Sequence, residues 1–133
     1  MSKTALIVDD STTMRRMVGL TLREAGFAVM EAADGGEGLK QLDAGTVDII
    51  VTDVHMPVMD GLTKIEAVRR RADHRYTPIL ILTTERSEEM KSRGKEAGAS
   101  GWIVKPFNPR QLHEVVCRLL RLPYGVPAEA KAV

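Results

Sequence analysis

Asp9 and Asp10 directly follow the apolar run Ala5-Leu6-Ile7-Val8, and Asp53 follows Asp48-Ile49-Ile50-Val51-Thr52. Thr83 follows Pro78-Ile79-Leu80-Ile81-Leu82, and Lys105 follows Gly101-Trp102-Ile103-Val104. Carboxylates, a hydroxyl and an ammonium are the parts required to transfer a phosphoryl group onto an aspartate. Ionised carboxylates at close range repel one another, and a divalent cation relieves the conflict. Oxygen-only donors favour a hard ion such as Mg²⁺, which is held by one or two carboxylates, water and phosphate oxygens. The lysine can pair with a carboxylate before phosphorylation and with a phosphoryl oxygen afterwards. The threonine can donate its hydroxyl to another phosphoryl oxygen. With these groups around it, an aspartate can attack phosphorus in line while the dispersed charge of the transition state is stabilised electrostatically. Asp53 is the expected nucleophile because it follows the central run, flanked by the others. Any one of these residues alone reads as a turn or helix cap; their recurrence at strand ends points to a site.

Residues so far apart in the chain meet only if the fold collects them. Five short runs rich in aliphatic and β-branched residues alternate with five helix candidates, which predicts an α/β fold: a single (βα)₅ unit with a doubly wound parallel sheet. Ala5–Val8, Ile49–Val51 and Ile79–Leu82 are continuously apolar, as parallel strands covered on both faces should be. Ala28-Val29-Met30 and Trp102-Ile103-Val104 are weaker runs. In such a sheet the strand C-termini share one edge, and ligands bind where the strand order reverses. The first helix predicts a buried stripe of Met14, Met17, Val18, Thr21, Leu22 and Ala25, ended by Gly26. The last opens on Asn108 and Pro109 and buries Leu112, Val115, Val116, Leu119 and Leu120, with Cys117 off the stripe and partly exposed. The fourth, about Ser87 to Ala97, has almost no apolar stripe beyond Met90 and Ala97 and contains Gly94, so packing should stabilise it little.

The chain has 133 residues and a formal net charge of +1, enough for one domain and without the field that favours nucleic acid. Arg69-Arg70-Arg71 reads as a helix end whose cations complement the macrodipole. The single Cys117 forms no internal disulfide, and no Cys/His spacing suggests a metal site. No apolar stretch approaches the roughly 20 residues that span a bilayer, so the expectation is a cytoplasmic protein without membrane contact. The segment from 122 to 133, with its prolines and little to bury, is expected to be a disordered tail.

The stretches VDDSTTMRR, VTDVHMPVMDG, ILTTE and GASGWIVKPF resemble the receiver domain of bacterial two-component response regulators, and the first and last look most like the stand-alone chemotaxis regulators of the CheY type. The resemblance covers residues 3–121 and implies the flavodoxin-like strand order 2-1-3-4-5. By position it implies that Asp53 is the phosphoacceptor. Asp10 would coordinate Mg²⁺ directly, Asp9 through water, and the backbone carbonyl of His55 would complete the protein ligands. Thr83 matches the switch hydroxyl, Lys105 the family's lysine, with Lys105-Pro106 as a cis peptide, and Met56-Pro57 with Asp60-Gly61 would shape the loop after the acceptor. The implied donor is a sensor histidine kinase or acetyl phosphate. The implied response is a change in the surface of the fourth helix, fifth strand and fifth helix toward a flagellar-motor switch protein or another chemotaxis partner, with a phosphatase as a further partner. The domain would act as a monomer, or dimerise through the same face when phosphorylated.

Four positions depart from the commonest pattern. Trp102 stands where tyrosine or phenylalanine usually switches, Thr84 where a smaller residue is frequent, and His55 and Glu85 where the family tunes attack of water on the acyl phosphate. Alternatives remain at this level. A small phosphatase with an aspartyl-phosphate intermediate would place its nucleophile in a D-x-D pattern after the first strand, but Asp9 and Asp10 are adjacent. A phosphate sink or relay receiver would use the same residues as a motor effector. Flavin binding at the Ser11-Thr12-Thr13-Met14 turn conflicts with the two carboxylates before it and with 4% aromatics. A non-phosphorylated scaffold would leave the acceptor constellation without purpose.

Overall fold

The computed structural model describes residues 3–54 and 61–122. The five strands are β1 (Thr4–Val8), β2 (Ala28–Ala32), β3 (Ile49–Thr52), β4 (Ile79–Thr83) and β5 (Gly101–Val104). The helices are α1 (Thr12–Glu24), α2 (Gly35–Ala44), α3 (Gly61–Arg69), α4 (Glu88–Ala97) and α5 (Pro109–Leu120), with a short 3-10 helix at Ala72–His74. All neighbours pair in parallel, in the order β2-β1-β3-β4-β5. The α/β fold and the 2-1-3-4-5 order therefore stand as expected, and the order reverses between β1 and β3.

Side chains that alternate along the strands feed two cores, one on each face of the sheet. On the first face, Ala5, Ile7, Ile49, Val51, Leu80 and Leu82 pack with Val18 and Leu22 of α1 and Leu112 and Val116 of α5. On the other, Leu6, Val8, Ile50, Ile79 and Ile81 pack with Leu42 of α2 and Ile65 and Val68 of α3, while Met90, Ala97 and Trp102 lie partly buried against them. The register explains the division: Ala5 lies beside Ile49 and Leu6 beside Ile50, so residues of one parity reach the same face on both strands.

Local signals end and begin the helices where they were expected. Asn108 caps α5 by accepting from the amides of Arg110 (2.8 Å) and Gln111 (3.3 Å), with Pro109 in the first turn. Gly26 follows α1 with φ 96°, a left-handed conformation open to glycine. Ser87 caps α4 through the Met90 amide at 3.1 Å. Buried His74 accepts the Val47 amide at Nε2 (3.3 Å), so Nδ1 carries the proton toward Asp73 (3.1 Å) and fixes the approach to β3.

Three expectations need correction. Met17 is 50% exposed, because the core-facing arc of α1 is completed by Val18, Leu22 and the half-buried Met14. Cys117 is fully buried, since the stripe of α5 is wide enough to include it, and burial pushes its thiol pKa up. Leu122, placed in the expected tail, packs into the first core, and its amide donates to the Cys117 carbonyl at 2.8 Å. Arg69 ends α3 as expected and its side chain also makes tertiary bonds. Arg69 donates from Nε (3.1 Å) and Nη2 (2.8 Å) to the Gly98 carbonyl and from Nη1 to that of His74 (3.0 Å). Arg71 pairs with Asp43 at 2.6 Å.

Candidate functional site

The sheet ladder continues one residue beyond three of the strands, and this extension positions the polar residues. The Asp9 amide donates to the Ala32 carbonyl (3.1 Å), that of Asp53 to Val8 (3.0 Å), and that of Lys105 to Thr83 (2.7 Å). Asp9 and Asp53 therefore leave adjacent strands at the same level, at the switch point of the sheet. Lys105 leaves β5 and reaches across the end of β4. Its Nζ donates to Asp9 Oδ2 and to Asp53 Oδ2, both at 2.8 Å. The three side chains are nearly enclosed, at 10% exposure for Lys105, 5% for Asp9 and 9% for Asp53. Burial disfavours the Lys105 ammonium, but hydrogen bonds to Asp53 and Asp9 and their charges outweigh it, so its pKa stands above the ordinary lysine value. The Lys105-Pro106 peptide is cis.

The carboxylate of Asp9 is used on both sides, because Oδ1 also accepts the Ser11 amide at 2.9 Å. Arg15 of α1 donates to the Asp9 carbonyl at 2.7 Å and is held by Glu31 at 3.3 Å, which ties the start of α1 to the end of β1. Asp10 is exposed at the rim, and His55 lies outside the described residues. Among the described residues no group of three or more histidine, cysteine, aspartate or glutamate side chains is assembled to hold a metal. The donor chemistry nevertheless fits a hard cation: two oxygen-bearing side chains meet at one ammonium, and a Mg²⁺ site commonly draws only one or two carboxylates from the protein.

Thr83 is fully buried, and its Oγ1 accepts the Glu85 amide at 3.3 Å. The carbonyl of the same Glu85 accepts Trp102 Nε1 at 3.1 Å. One residue of the β4–α4 turn thus joins the expected switch hydroxyl to the expected switch aromatic. Thr84 is exposed beside them and Glu85 half-buried. The indole lies on α4 because Gly94 leaves room: a Cβ at Gly94 would stand 2.7 Å from Trp102 Cζ3 and 3.1 Å from Ile81 Cδ1.

The sequence reading overlooked a further group. Lys64 of α3 is buried, and its Nζ donates to Thr52 Oγ1 at 2.6 Å, while Thr52 Oγ1 donates to the Asp53 carbonyl at 2.8 Å. Its signal was available: Lys64 shares a helical stripe with Ile65 and Val68, where an apolar residue is expected.

A parallel sheet in this order, with two strand-end carboxylates joined by a lysine at its switch point, defines a receiver-type signalling module. Residues 5–117 match the response regulator receiver domain family, and the chain belongs to that family. It is 39% identical over 121 residues to the chemotaxis protein CheY of Pseudomonas aeruginosa, covering 90% of this chain and 98% of that protein. It is 41% identical over 110 residues to chemotaxis protein CheY-3 of Vibrio cholerae, covering 82% and 85%. The solved structure of Vibrio cholerae chemotaxis protein CheY4 matches with a TM-score of 0.87 at 47% identity, covering 90% of this chain and 99% of that one. Among the described residues no helix is long and apolar enough to cross a membrane.

Proposed function

We propose that this receiver domain, spanning residues 3–121, is a phosphorylation-controlled chemotaxis regulator whose phosphoacceptor is Asp53. The observation that carries the reading is the Lys105 ammonium, 2.8 Å from both the Asp53 and Asp9 carboxylates. An ammonium so placed orients the Asp53 carboxylate and can follow the charge when a phosphoryl oxygen arrives. Asp9, Asp10, Asp53 and the backbone carbonyl of His55 would hold Mg²⁺, which supplies charge neutralisation of the transferring phosphoryl group. The donor is a phosphohistidine of a sensor kinase or a small acyl phosphate: the Asp53 carboxylate forms a new P–O bond as the donor's P–N or P–O bond breaks, and the histidine or the small carboxylate leaves.

The chain's own residues then carry the response. The Thr83 hydroxyl turns from the Glu85 amide toward the phosphoryl group, which frees the turn that also holds Trp102 through the Glu85 carbonyl. Thr84, at the rim, and His55 and Glu85 set how readily water reaches the acyl phosphate. The α4–β5–α5 surface is the face read by a downstream protein such as a flagellar-motor switch component. The module works in the cytoplasm as a monomer and catalyses only its own phosphorylation and dephosphorylation.

Intact mass after incubation with Mg²⁺ and acetyl phosphate tests the reading. One phosphoryl adduct is expected on the wild type, and none on Asp53→Asn or without metal. An adduct that persists in Asp53→Asn would move the acceptor elsewhere, and steady turnover of a phosphomonoester would make the protein a phosphatase.

A further inference from the structure

Lys64 is the one lysine or arginine among the described residues that is buried, at 2% exposure. It projects from α3 beside Ile65 and Val68, which belong to the second core. Packing alone does not explain a cation there, because replacing a buried charge with an apolar residue of similar volume is often neutral or stabilising. What distinguishes the position is its target. The ammonium lies 2.6 Å from Thr52 Oγ1, whose hydroxyl is bound to the Asp53 carbonyl at 2.8 Å. Lys64 thus approaches the acidic edge from the core side, whereas Lys105 arrives from β5.

The acids whose fields reach it come from three elements. They are Asp53 after β3, Asp34 at the start of α2 and Asp9 after β1. Burial pushes the Lys64 pKa down to about 7, although Asp53, Asp34 and Asp9 all pull it upward. The ammonium is therefore expensive to keep charged, and the acidic edge is what offsets that expense. Lys105 hydrogen-bonds the carboxylates directly, whereas Lys64 is buried on Thr52 and acts on them only through its field.

We infer that Lys64 is an internal cation of the acidic edge that competes electrostatically with a divalent metal and holds down the metal affinity of the unphosphorylated protein. The inference rests on the reading that this edge binds Mg²⁺. Two positive centres that feel the same carboxylates across a poorly solvated region repel each other more strongly than they would in water.

Calorimetric titration of the full chain with Mg²⁺ at about pH 6, below the Lys64 pKa of about 7 so that the ammonium is charged, tests it with wild type, Lys64→Met and Lys64→Gln. Methionine fills the apolar space without charge, and glutamine keeps a donor for Thr52 without charge. Both variants are expected to bind Mg²⁺ about three- to tenfold more tightly than wild type. The rise in unfolding midpoint caused by Mg²⁺ should increase in the same order, a readout that survives a change in basal stability. Equal or weaker binding by both variants would overturn the inference and leave the metal reading intact. A wild type that binds no Mg²⁺ would overturn both.

Discussion

The two faces of the sheet are held by different forces. On the α1/α5 face the core is apolar throughout, from Ile7 and Leu82 on the strands to Leu22, Leu112 and Val116 on the helices. On the α2/α3/α4 face an apolar layer is interrupted by the Lys64 ammonium, and α4 contributes only Gly94 as a buried residue. Directional bonds complete that face: Arg69 to Gly98, Lys64 to Thr52, and Trp102 to Glu85. Apolar contact is non-directional and lost gradually, whereas a hydrogen bond can be exchanged for another. The first face is held by apolar packing; the second adds directional, exchangeable bonds beside the strand edge that carries Asp9 and Asp53.

This contrast can be broken most severely on the apolar side. Leu112→Ala, at a fully buried position, should lower unfolding stability by about 2–5 kcal/mol. Chemical denaturation measures the loss, and the phosphorylation rate of the remaining folded protein should be unchanged. A matching loss of phosphorylation would mean that the α1/α5 face also carries the response.

A smaller effect should distinguish the polar side by pH. Folded Lys64 titrates at about 7, below the ordinary lysine value of about 10.4 expected for the unfolded chain. Between those values the unfolded chain binds more protons than the folded one, so stability rises with pH. Lys64 should contribute at most about 1.4 kcal/mol per pH unit in that window. Lys105, with its raised pKa, contributes oppositely, and only above the ordinary lysine value. Denaturant midpoints of wild type and Lys64→Met between about pH 7 and 9 should therefore converge or cross as pH rises. Parallel curves would show that Lys64 keeps an ordinary pKa.

The smallest change sharpens the role of the indole. Gly94→Ala removes a poor helix former but sets a Cβ against Trp102, and the net loss should be about 1 kcal/mol. The indole should move outward and release the Glu85 carbonyl. Because Trp102 is the single tryptophan, a red-shifted emission would report that movement directly. Unchanged emission would mean that the ring keeps its place and that the Gly94 contact does not set it.

Much of the fold was legible because its signals are local. Apolar runs marked all five strands, including the weak β2 and β5, and Asn108, Ser87 and Gly26 lie at the helix boundaries where their backbone chemistry places them. The failures occurred where the width of a buried arc mattered. Met17 lies on a helical apolar stripe yet is half exposed, and Cys117 lies off one yet is buried, because the neighbouring helix and strands decide how far around each helix the core extends. Arg69 and Arg71 read as a basic run because their acceptors, Gly98 and Asp43, are remote in sequence.

The sequence by itself determined the repeated strand and helix pattern, the placement of Asp9, Asp53, Thr83 and Lys105 at strand ends, and the kind of chemistry their side chains allow. Only the tertiary structure decided which of those groups touch. It joined Asp9 and Asp53 through Lys105, left Asp10 at the rim, linked Thr83 to Trp102 through Glu85, and drew Lys64 beneath Asp53. Strand ends follow from periodicity along the chain, but contacts among side chains depend on strand order, register and the helix packed across them, and those are set by the burial of the whole chain at once.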